Sequence, residues 1–64
     1  MAQQDDQVLL EFHQVGAVVK VSAVDPVTLV EVSISGPASA GEAVLGQAAI
    51  RKLRYVLARR NAAR

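Results

Sequence analysis

The chain has 64 residues, with seven Lys or Arg against six Asp or Glu, a single His and no Cys. A chain this short forms one domain at most, close to the smallest size at which a hydrophobic core holds unaided. Disulfides, thiolate zinc sites and multi-histidine metal sites are excluded, which leaves an efficient core or self-association as the source of stability.

The opening MAQQDDQ is polar and acidic. It has neither the basic start nor the apolar run of a signal peptide, so residues 1–7 are expected to form a flexible tail. No apolar stretch approaches the ~18 residues that cross a bilayer. With no Cys to suggest an oxidising compartment, the expectation is a cytoplasmic protein with no membrane partner.

From Val8 to Ser35 the apolar pattern has period two. Val8, Leu10 and Phe12 alternate with Leu9, Glu11 and His13; Ala17, Val19, Val21 and Ala23 alternate with Val18, Lys20 and Ser22; Val30, Val32 and Ile34 alternate with Leu29, Glu31 and Ser33. Such β-branched, alternating runs predict three half-buried strands, at about 8–14, 17–24 and 28–35. Gly16 and Asp25-Pro26 supply the turns between them. A reversal at Val15-Gly16 pairs Phe12 with Val19 and Leu10 with Val21, and sets Glu11 opposite Lys20. A reversal at Pro26-Val27 pairs Val21 with Val32 and Val19 with Ile34. Both registers gather the apolar residues on one face, the pattern of an antiparallel meander.

After Ser39 the period becomes 3.6. Leu45, Gly46, Ala49, Ile50, Leu53, Val56 and Leu57 share one arc, while Val44, Ala48, Arg51, Lys52, Tyr55 and Arg59 take the other side. The prediction is an amphipathic helix at about 40–60 lying across the sheet, with 61–64 frayed. The expected fold is thus α+β, a single domain over residues 8–60.

Gly36 and Gly41 have the spacing of a phosphate-binding loop, but Glu42 and Ala43 follow where that loop needs Lys and then Ser or Thr. Ser39 and Glu42 instead have the spacing of a capping box, in which each side chain takes the other residue's amide. A structural cap is expected there and no nucleotide.

His13 has no base, nucleophile or metal partner at a recognisable spacing. Ser22, Ser33 and Ser35 fall on the outer sheet face with Glu11, Lys20 and Glu31, where nothing excludes water or orients a substrate. No catalytic residue, metal site or cofactor is therefore expected. The same outer face carries the candidate self-association residues Leu9, Val18, Lys20, Leu29 and Glu31. One helix covers only one side of a sheet, so aliphatic residues on the other side look like an unfinished core. An edge strand offers a second route, pairing into a continuous sheet across a dimer.

All six acids precede Ala43, whereas Arg51, Lys52, Arg54, Arg59, Arg60 and Arg64 follow it. Tyr55 stands among them, four residues from both Arg51 and Arg59. Arg51, Lys52, Tyr55, Arg59 and Arg60 therefore form a candidate surface for nucleic acid or another anion. Cations late in a helix also complement its dipole and stack on an aromatic ring without any partner.

The stretch from GAVVKVSAVDPVTLVEVSISGPASAGEAVL to AAIRKLRYVLARR resembles a small family of uncharacterised bacterial proteins of about this length, mainly alphaproteobacterial, most specifically in its VSxxDPxT and GPASAGE segments. That resemblance implies an intact domain and no particular activity. The strand-strand-strand-helix order also resembles the C-terminal part of a double-stranded-RNA-binding domain. Ser39, Glu42 and Ala43 match that family's helix start, but Ala40, Gly41 and Val44 replace its three lysines. This resemblance supports the topology and argues against that mode of RNA binding. The function expected is a small non-catalytic interaction or regulatory module that pairs with itself or with another protein, with nucleic-acid binding as the alternative.

Overall fold

A computed structural model describes residues 7–62. Three strands, β1 (Leu9–Val15), β2 (Val18–Val24) and β3 (Glu31–Pro37), precede one 3-10 turn (Ala38–Ala40) and a helix, α1 (Glu42–Ala62). The strands form an open antiparallel sheet in the order β1-β2-β3, so the expected α+β meander is the observed fold. Expectations for residues 1–6 and 63–64 lie outside the described residues.

Alternation along the strands sends Val19, Val21, Ala23 and Val32 inward, where they meet Leu45, Ala49 and Leu53 of α1. Those helix residues come from the arc that the 3.6 period marks out, and Ile50 and Gly46 are buried on the same arc. Gly46 permits close packing, because a Cβ there would lie 3.3 Å from Leu10 Cδ1 and 3.4 Å from Phe12 Cζ.

Both predicted registers are displaced. Phe12 pairs with Val21, Leu10 with Ala23 and Glu11 with Ser22, while Lys20 stands opposite His13 and not Glu11. Val21 pairs with Ile34, and Val19 with Gly36. Each reversal falls one residue later than expected. In the first, Gly16 (φ 61°) occupies the leading central position of a two-residue turn, where positive φ suits the twist of a hairpin. Moving a reversal by one residue moves every partner by two, so each side chain keeps its face and the core is the predicted one.

The second reversal is a longer loop, and β3 begins at Glu31, not near residue 28. Asp25 organises this loop. Its amide donates to the Val30 carbonyl (2.9 Å), and its carbonyl accepts from the Leu29 amide (2.7 Å). Its carboxylate accepts from the Thr28 hydroxyl (2.8 Å), the Thr28 amide (3.3 Å) and the Val27 amide (3.5 Å). Only 6% of Asp25 is exposed, yet its carboxylate is well supplied with donors. Leu29 closes the loop with φ 64°, a left-handed conformation uncommon for a leucine.

The Thr28 hydroxyl is the main cause of a depressed Asp25 pKa, aided by the Thr28 and Val27 amides and opposed by burial. A carboxyl whose folded pKa is lowered contributes stability above its ordinary value of 3.8, and that stability is lost as pH falls through the folded value. Unfolding midpoints should accordingly fall with acidification below that ordinary value. Asp25→Asn should flatten the dependence, as measured by thermal melts across an acid series. An unchanged acid slope in the variant would show that this carboxylate is not responsible.

The capping box does not form. Ser39 sits inside the 3-10 turn, the Gly41 amide donates to the Ala38 carbonyl (3.1 Å), and the Gly41 carbonyl accepts from the Leu45 amide (3.1 Å). The N-cap is therefore Gly41, and Glu42 is the first helical residue, too early in the helix to act as the box glutamate. Glu42 still lies at the positive end of the helix dipole, with Arg59 and Arg60 at the negative end. The helix also runs on through Asn61 and Ala62, where the sequence predicts fraying.

Candidate interaction surfaces

On the outer sheet face the strand pairing sets side chains in four rows: Leu9–Val24–Glu31, Glu11–Ser22–Ser33, His13–Lys20–Ser35 and Val15–Val18–Pro37. The aliphatic residues therefore collect at the two ends, separated by two polar rows. Leu9 and Glu31 share one end row, with Leu29 in the loop nearby, whereas Val18 lies in the opposite end row and Lys20 in the polar middle. The five candidate self-association residues are thus not one apolar patch.

The helix leaves a different gap. It packs mainly over β2 and β3, so none of the seven residues of β1 is buried, although Leu9, Leu10, Phe12 and Val15 are apolar. Leu9 is 61% exposed and Val15 67%. Between β1 and the helix runs an open groove floored by Leu10, Phe12, Gly46 and Ile50, with Glu42 and Gln47 on its rim. Period-two alternation marks which side of β1 faces inward. It does not reveal that the helix axis lies off-centre.

The two sheet edges differ. Lys52 crosses to β3 and donates its ammonium to the Ser33 carbonyl (2.9 Å). A cation held at an edge obstructs pairing with another strand. The opposite edge, β1, has no such guard among the described residues. This role for Lys52 does not follow from its spacing, since it depends on which edge the helix overhangs.

Arg51, Tyr55 and Arg59 form an exposed stripe at successive four-residue steps along α1, with Lys52 at its margin and Arg60 farther round the helix. Two of these cations are engaged within the chain. Besides Lys52 on Ser33, Arg59 donates to the Tyr55 hydroxyl (3.1 Å) and stacks over its ring at 5.7 Å.

The family model described as Domain of unknown function (DUF6898) matches residues 5–60. The chain belongs to this family. The match spans every strand and nearly all of the helix, so the sheet and helix together are the family's shared unit. No curated protein and no solved structure matches the chain. Among the described residues, no three His, Cys, Asp or Glu are grouped to hold a metal ion, and no helix is long and apolar enough to cross a membrane.

Proposed function

We propose that this chain is a small, cytoplasmic, non-catalytic interaction module that works by self-association. The observation that carries the proposal is β1, a strand whose apolar Leu9, Leu10 and Val15 are exposed in the single chain and whose Phe12 is only half-buried against the core. Apolar side chains on an open edge strand, beside an apolar groove, are surface that a partner chain covers. The alternative, capture of nucleic acid by Arg51, Lys52, Tyr55, Arg59 and Arg60, rests on their exposed stripe. It is the weaker reading because Lys52 and Arg59 already serve contacts within the chain.

Light scattering on a sizing column, across protein concentration and at low and high salt, tests the proposal. The expected mass is that of a dimer or larger species, indifferent to salt, because apolar burial is not screened as charge pairing is. A single-chain mass throughout would overturn it. Binding of a nucleic-acid strand that weakens steeply with salt, from a monomer, would favour the alternative.

A further inference from the structure

Resting on the self-association reading, we infer that the dimer forms by antiparallel pairing of β1 with β1 of a second copy, about a two-fold axis through Phe12, giving one six-stranded sheet. The occupant of the open edge is thus another copy of the same strand.

Three observations converge on this arrangement. The first is edge asymmetry: Lys52 guards β3 at Ser33 and Pro37 ends that strand, whereas among the described residues nothing guards the β1 edge. The second is self-complementarity. A two-fold at Phe12 overlaps the whole of β1, setting Leu9 opposite Val15, Leu10 opposite Gln14, and Phe12 opposite its own copy. It also sets Glu11 of one copy against His13 of the other, twice per dimer, so that a carboxylate meets an imidazole able to donate to it. Centring the pair on Glu11 would oppose two carboxylates. Centring it on His13 would oppose two imidazoles, and either shift shortens the overlap.

The third observation is the groove. Residues directly opposite in an antiparallel pair share a face, so an axis through Phe12 puts both helices on one side of the joint sheet. The two grooves of Leu10, Phe12, Gly46 and Ile50 then meet over the junction, and each covers the other's open flank. Isologous pairing of this kind closes at two copies and leaves only the guarded β3 edges outward.

The absence of native Cys permits a direct test of register. Opposed residues of an antiparallel pair have Cα atoms about 4.5–5.5 Å apart, inside the range that a disulfide spans. Glu11→Cys and His13→Cys proteins, mixed and oxidised, should cross-link at least about tenfold more than either alone, since identical positions sit two residues out of register at roughly 8 Å. Independently, Glu11→Lys should weaken the dimer about tenfold by removing two cross-strand pairs, and adding His13→Glu should restore it. A dimeric wild type whose mixed cysteine variants link no better than the separate ones would overturn β1 pairing and leave self-association standing. A monomeric wild type would overturn both.

Discussion

Leu53→Ala should cost about 3 kcal/mol or more, the largest loss expected of any single truncation in this chain. Leu53 is 1% exposed and, ahead of Val21, is the largest side chain wholly removed from solvent among the described residues. It lies on the buried face of α1 within a cluster of Val19, Val21, Ala23, Val32, Leu45 and Ala49. Truncation removes the transfer energy of its methyl groups and leaves a void that a two-layer domain fills poorly. Domains of this size rarely draw more than about 3–5 kcal/mol from one core, so the variant should keep about 2 kcal/mol of stability or less at room temperature. Urea titrations followed by circular dichroism, at one fixed protein concentration because assembly adds its own stability, measure the difference. Val44→Ala is the control, since Val44 is exposed on the far side of the helix and should shift stability by no more than about 0.5 kcal/mol. Equal effects from the two variants would mean that the helix does not pack through Leu53.

That contrast between Leu53 and Val44 is legible in the sequence for a physical reason. The 3.6 period records which side of a helix is buried, and it holds whether or not the cap or the end point is right. Likewise both strand registers are displaced by one reversal, yet Val19, Val21, Ala23 and Val32 remain inside, because a two-residue displacement of partners preserves the pleat. What periodicity does not carry is local hydrogen bonding. Ser39 and Glu42 have the spacing of a cap, but Ala38–Ala40 turn first, and Gly41 takes the N-cap position. The Asp25-Pro26-Val27-Thr28 segment does hold a local signal, an acid followed three residues later by a hydroxyl that donates to it. Alternation alone marks only a turn opening there and runs β3 back through Thr28, Leu29 and Val30, because it does not register the hydrogen bonds that close the loop. The candidate surfaces are less legible still. Whether Leu9 and Val18 adjoin depends on register, and whether Lys52 is available depends on where the helix crosses the sheet.

Leu29→Gly should stabilise the isolated fold, the opposite sign to most substitutions. Leu29 holds φ 64° at the end of the Asp25 loop and is 76% exposed, so its side chain adds little burial to set against the strain. A non-glycine residue in this conformation costs roughly 1–2 kcal/mol. Glycine releases that strain but gains freedom in the unfolded chain, leaving a net benefit of roughly 0.5–1 kcal/mol, or a few degrees in Tm for a domain of this size. Leu29→Asn should recover part of the same gain, since Asn tolerates the left-handed region without glycine's extra entropy. Thermal melts at low protein concentration measure the effect on the chain itself, and unchanged or lowered midpoints for both variants would show that Leu29 is not strained. Assembly mass then separates two roles for this residue. Under β1 pairing, Leu29 lies outside the junction and Leu29→Gly should dimerise as tightly as the wild type. A variant that folds better yet no longer assembles would place the contact at the Asp25 loop, with its leucine kept there at a cost in strain because a second copy packs against it.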